Sequence, residues 1–126
     1  MDKWLNGKEK SFTITLTINE QEFVANYLEA VRFTEEDSPD FETYGPDLCP
    51  YFIRESTLDC LSFYSRIACY ITPEKIAQSA HDFWLTRNGH GVGFWDRPEI
   101  YGDHFADRFT QWAKGYGEAN VAWGAI

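Results

Sequence analysis

The feature that most narrows what this chain can fold into is the run His81-Asp-Phe-Trp-Leu-Thr-Arg-Asn-Gly-His-Gly-Val-Gly-Phe-Trp-Asp-Arg97. Two aromatic pairs, Phe83-Trp84 and Phe94-Trp95, flank three glycines, one asparagine and one histidine. Large aromatic side chains drive burial, and glycine permits backbone angles that other residues avoid. The placement predicts a tight loop, Asn88 to Gly93, held between two buried tryptophans, with Phe83, Trp84, Asn88, Gly89, Gly91, Gly93, Phe94 and Trp95 as a structural motif. Two local readings fit. Phe83–Thr86 can finish a helix capped by Asn88-Gly89, or form a strand that turns at Asn88-Gly89-His90-Gly91 into Val92–Trp95. The hairpin is the expectation, because aromatics flank the turn on both sides.

Around this run the chain supports a single domain. Its 126 residues, 44% hydrophobic and 17% aromatic, suffice for one sizeable core. Residues 1–10 are polar and expected to be a flexible N-terminus, with a single domain over 11–126. Phe12, Ile14, Leu16 and Ile18 alternate with Thr13, Thr15 and Thr17, which predicts a strand over Ser11–Ile18. Asn19 followed by Glu22 reads as a helix start, and Phe23, Tyr27, Leu28 and Val31 recur at helical spacing to about Phe33. A helix is expected from Tyr51 to Ile71 with Phe52, Leu58, Leu61, Ile67 and Ala68 on its apolar stripe. Thr72-Pro73 opens another. A fourth, Glu99–Lys114, carries Ile100, Phe105, Phe109, Trp112 and Ala113, and a short strand is expected over Asn120–Trp123. The fold class is therefore α+β, about four helices packed on a small antiparallel sheet.

Charge is unevenly placed. The net charge is −9, and residues 11–53 hold nine acids against the single base Arg32. Between Thr34 and Pro50 no base occurs, while Pro39, Gly45, Pro46 and Pro50 interrupt regular structure. A long acidic loop, 34–50, is expected there. Its acids Glu35, Glu36, Asp37, Asp40, Glu42 and Asp47 are interleaved with Phe41 and Tyr44, a combination suited to binding a protein. Direct contact with nucleic acid or an anionic membrane is disfavoured by the charge. A basic partner surface is the natural complement. The N-terminus lacks a secretion-signal pattern, so a cytoplasmic protein is expected. Cys49, Cys60 and Cys69 are odd in number and form no Cys-x-x-Cys pair; buried free thiols are the expectation.

His90, with Arg87 and Asp96 close in sequence, is the candidate catalytic group: a histidine on a glycine-rich loop can act as a general base oriented by a carboxylate. Turn formation and local Asp–Arg pairing explain the same residues without chemistry. His81, His90 and His104 have no His-x-x-x-His spacing, so no metal site is assigned, and no cofactor motif is present.

The stretch Asp82–Arg97 resembles a signature in a family of small uncharacterised bacteriophage proteins, in which alanine or valine typically stands between the second and third glycines. The resemblance extends more loosely to Leu16-Thr17-Ile18-Asn19 before a helix, and to the acidic loop before a cysteine-bearing helix. It implies a host-cytoplasmic phage protein and raises one functional class: a small acidic protein that binds and inhibits or modulates a host nucleic-acid-handling protein, sometimes by imitating DNA. A topoisomerase, polymerase or defence nuclease would suit. The alternatives are a small enzyme centred on His90, and a structural or homodimeric phage protein.

Overall fold

The computed structural model describes residues 15–45 and 47–124, without the side chains of Phe41, Glu42 and Tyr44. The described chain is helical: α1 Ile18–Glu35, α2 Pro39–Tyr44, α3 Pro50–Ile67, α4 Ile76–Arg87 and α5 Pro98–Lys114. Single 3-10 turns lie at Ala68–Tyr70, Pro73–Lys75 and Phe94–Asp96. The expected α+β class is overturned. Among the described residues no strand forms, and the one β-type pairing is an isolated antiparallel bridge between Leu48 and Trp123. The predicted strand over Asn120–Trp123 amounts to that bridge.

Of the strand expected over Ser11–Ile18, residues 11–14 lie outside the described residues, as does the N-terminus 1–10. Over the rest, capping overrides the period-two pattern. The Thr17 hydroxyl accepts from the Glu20 amide at 3.1 Å, and the Glu20 carboxylate accepts from the Thr17 amide at 2.9 Å. This reciprocal box starts α1 two residues before the Asn19 start read from sequence. The acidic loop is also shorter than expected. Thr34 and Glu35 belong to α1, and residues 39–44 form α2. Pro50 does not break structure but opens α3 at its first turn, where its missing N–H costs nothing.

Helix α4 is the hub. The Phe83 ring stacks on Phe63 of α3, centroids 4.1 Å apart and 3° from parallel, and lies 5.4 Å from Tyr27 of α1. Trp84 meets Tyr27 and Phe52 edge-on, and its indole N–H donates to the Thr34 hydroxyl at 2.8 Å. Phe94 joins the same core from the following turn, against Phe63, Tyr101 and Phe109.

The expected hairpin is replaced by its alternative. Helix α4 runs through the whole first aromatic pair and stops at Asn88-Gly89. The Gly89 amide bonds to the Thr86 carbonyl and the His90 amide to the Leu85 carbonyl, with Gly89 at φ 71°. This is the paired closure that favours glycine after a helix.

Four smaller expectations change. Trp95 is 49% exposed whereas Trp84 is 1% exposed, so of these two expected anchors Trp84 alone is buried. Leu58 and Tyr51 face outward, and Cys60 and Phe63 fill the core side of α3. Cys49 and Cys60 are buried free thiols, but Cys69 is exposed. Helix α5 kinks at Gly102 (φ 82°, ψ 154°), which puts Tyr101 in the core where the helical stripe had placed Ile100.

Candidate functional site

Two residues of the glycine-rich run build the site by holding the C-terminal segment against the helices. The Asn88 side chain donates to the Trp84 carbonyl at 3.0 Å and accepts from the Ala119 amide at 2.9 Å. Arg87 donates to the Gly117 carbonyl at 2.8 Å and to the Tyr116 carbonyl at 3.3 Å. Further along, backbone bonds from Cys49 to Ala122 and from Gly124 to Asp47 fasten the same segment to the end of the acidic stretch.

The segment walls an open groove of about 540 Å³. Glu35 from α1, Asp40 from α2, Glu118 and Asn120 from the C-terminal segment, and Asn88 and His90 just beyond α4 line it. The acidic stretch and the glycine-rich run, far apart in sequence, thus meet in one place. Among the described residues, none of Glu35, Asp40 and Glu118 pairs with a base. Glu36, Asp37 and Asp47 are exposed nearby in sequence but do not line the groove. Phe41, Glu42 and Tyr44 lie on α2, and their side chains lie outside those described.

The three candidate catalytic residues do not converge. His90 lines the groove. Arg87 is buried behind it and committed to structure: besides the two carbonyls it donates to Asp59 at 2.9 Å and to the Tyr27 hydroxyl at 3.1 Å, and it sits over the Phe83 ring at 5.3 Å. Burial pushes the Tyr27 hydroxyl and the Cys60 thiol well above their ordinary pKa values, so both stay protonated around Arg87 at neutral pH. Asp96 accepts from the Gly93 amide at 3.1 Å and steadies the 3-10 turn. Gly93 itself lies against Thr86, whose hydroxyl accepts from the Phe94 amide at 3.0 Å; a Cβ there would collide with that hydroxyl.

A polar cluster that sequence reading missed lies at the other end of α4. Asp82, fully buried, accepts from Arg97 at 2.9 Å, the Tyr101 hydroxyl at 2.8 Å and Gln78 at 3.1 Å. Burial raises the Asp82 carboxyl, and the bonds from Arg97, Tyr101 and Gln78 offset part of that rise. Bonding to Asp82 in turn raises Arg97. The available signal was the spacing of Gln78 and Asp82, which places both on one face of a helix. It was hidden by the hairpin reading.

Among the described residues no group of three or more His, Cys, Asp or Glu side chains is placed to hold a metal ion. Nor is any described helix long and apolar enough to cross a membrane. Compared with family models, curated proteins and solved structures, the chain matches none of them.

Proposed function

We propose that this chain is a binding module that engages a basic surface on another protein, one that handles nucleic acid, with carboxylates taking the place of phosphates. The single observation that carries this reading is the groove. Glu35 and Asp40 from the acidic stretch and Glu118 from the C-terminal segment line one open depression and have no basic partner among the described residues. Unneutralised charge on a concave surface attracts and orients an oppositely charged partner, and mainly raises the rate of encounter. The resemblance to small bacteriophage proteins gives the reading a setting: a host protein bound and inhibited or modulated in the host cytoplasm.

Charge reversal tests it. Glu35→Lys with Asp40→Lys should leave the melting temperature within a few degrees of the parent. The pair should also abolish capture of basic proteins from bacterial lysate at low salt. Capture by the parent should fall as salt is raised, because exposed charges are screened over about 10 Å at 0.1 M. Capture that ignores both salt and the reversals would end the electrostatic reading.

A further inference from the structure

On the other side of the C-terminal segment lies a second depression, which shares Ala119 and Asn120 with the acidic groove. It is a slot of about 250 Å³ between the aromatic residues Tyr51 and Phe52 of α3 and the small residue Ala122. Clefts for metabolites usually enclose ~300–1,000 Å³, so this slot is the size of one side chain rather than of a small molecule. Ser56, Asp59 and Arg87 line it as well.

The polar groups there are unequally satisfied. Arg87 has four oxygen partners. Asp59 uses Oδ2 for Arg87, while Oδ1 makes no hydrogen bond among the described residues. Ser56 is only 3% exposed, and its hydroxyl has no partner among the described residues. Buried hydroxyls are nearly always bonded, and leaving one unbonded is costly. The slot therefore combines an apolar, aromatic wall with a hydroxyl and a carboxylate oxygen that can still bond.

We propose that this slot takes a tryptophan or tyrosine side chain from a basic segment of a partner protein whose neighbouring lysine or arginine lies in the acidic groove. The inference rests on the groove reading for its basic half. The ring packs against Tyr51 and Phe52, and the indole N–H or phenol O–H donates to Ser56 Oγ. Buried aromatic anchors of this kind carry much of the affinity of protein interfaces, while neighbouring charges steer. Because the two depressions share lining residues, side chains close together on one extended peptide reach both.

The probes are the synthetic peptides Lys-Lys-Trp-Lys-Lys, Lys-Lys-Phe-Lys-Lys and Lys-Lys-Ala-Lys-Lys, titrated into the whole protein and followed by the amide resonances of Ser56, Asp59, Ala119 and Asn120. The tryptophan peptide should shift these amides and bind about tenfold more tightly than the alanine peptide, as expected for one anchor residue. Ala122→Phe fills the slot and should erase that preference. Ser56→Ala, which removes only the hydroxyl, should erase the advantage of tryptophan over phenylalanine. Equal binding of the tryptophan and alanine peptides to the parent overturns the proposal. So does a preference that survives both substitutions. Asp40→Lys separates the two readings: it should weaken every basic peptide and keep the tryptophan preference. If Asp40→Lys has no effect while Ala122→Phe still erases the preference, the slot stands and the acidic groove reading fails.

Discussion

The indole of Trp84 is enclosed by Tyr27 and Phe52 and bonded to Thr34, so its removal opens a cavity and takes one bond from the Thr34 hydroxyl, which still donates to the Ala30 carbonyl. Trp84→Ala should cost about 3–5 kcal/mol, much of the ~5–15 kcal/mol that holds an ordinary domain. Trp95, half exposed on the 3-10 turn, should lose no more than about 0.5 kcal/mol on the same change, as surface substitutions do. Parallel denaturant melts of the two variants measure the contrast; equal losses would show that Trp95 is also part of the core. The two tryptophans look equivalent in sequence because each follows a phenylalanine. What separates them is how far the core reaches around each backbone. Helix α4 is covered on several sides, so Phe83 and Trp84 are both buried. On the 3-10 turn Phe94 takes the inward position and leaves Trp95 outside. The residue types in the run announced burial, but not which pair would be split.

Between elements, α4 works as a polar as well as an apolar connector. Its Asp82 reaches Arg97 and Tyr101, at the boundary with α5 and within it, and its Arg87 reaches Asp59 on α3. The Asp82 contact makes a definite claim about pH. Its folded carboxyl is raised above the ordinary aspartate value, chiefly by burial. Between the ordinary value and the raised one the folded chain binds more protons than the unfolded chain. Stability from this group is therefore full at the acid end of that window and declines as pH rises through it. Asp82→Asn removes the titrating group, so the destabilisation it causes should be larger at the acid end of the window than above it. Melting curves of parent and variant across the carboxylate range test this; a penalty that grows with pH would mean the Arg97 pair outweighs burial. Helix positions were largely legible from apolar spacing, and Thr72-Pro73 and Asn88-Gly89 marked real boundaries. The Asp82 cluster was not, because its partners Arg97 and Tyr101 lie beyond a turn whose path the sequence does not specify.

For the molecule as a whole, the absence of a sheet among the described residues and the displaced charge have a common origin in caps and closures that outweigh local pattern. The Thr17–Glu20 box converts the end of an apparent strand into the start of a helix, and α2 forms inside what reads as a loop. One consequence is that Glu35 and Asp40 sit at one groove, on the end of α1 and on α2, rather than on a long chain free to separate them. The groove was legible only as composition: the acids were visible, but their meeting with His90 and Glu118 depends on the Asn88 and Arg87 contacts that seat the C-terminal segment. Crowded like charge repels most when screening is weak, and the screening length shrinks from about 30 Å at 0.01 M salt to about 10 Å at 0.1 M. The melting temperature should therefore rise over that salt range, by an amount that reports the repulsion. Glu35→Lys, Glu36→Lys and Asp37→Lys together would relieve the excess where it is densest, so the variant should melt higher than the parent at low salt and respond less to added salt. A parent melting temperature that is flat or falls with salt would mean that the paired charges, chiefly Arg87–Asp59 and Arg97–Asp82, contribute more to the electrostatics of folding than the unpaired carboxylates do.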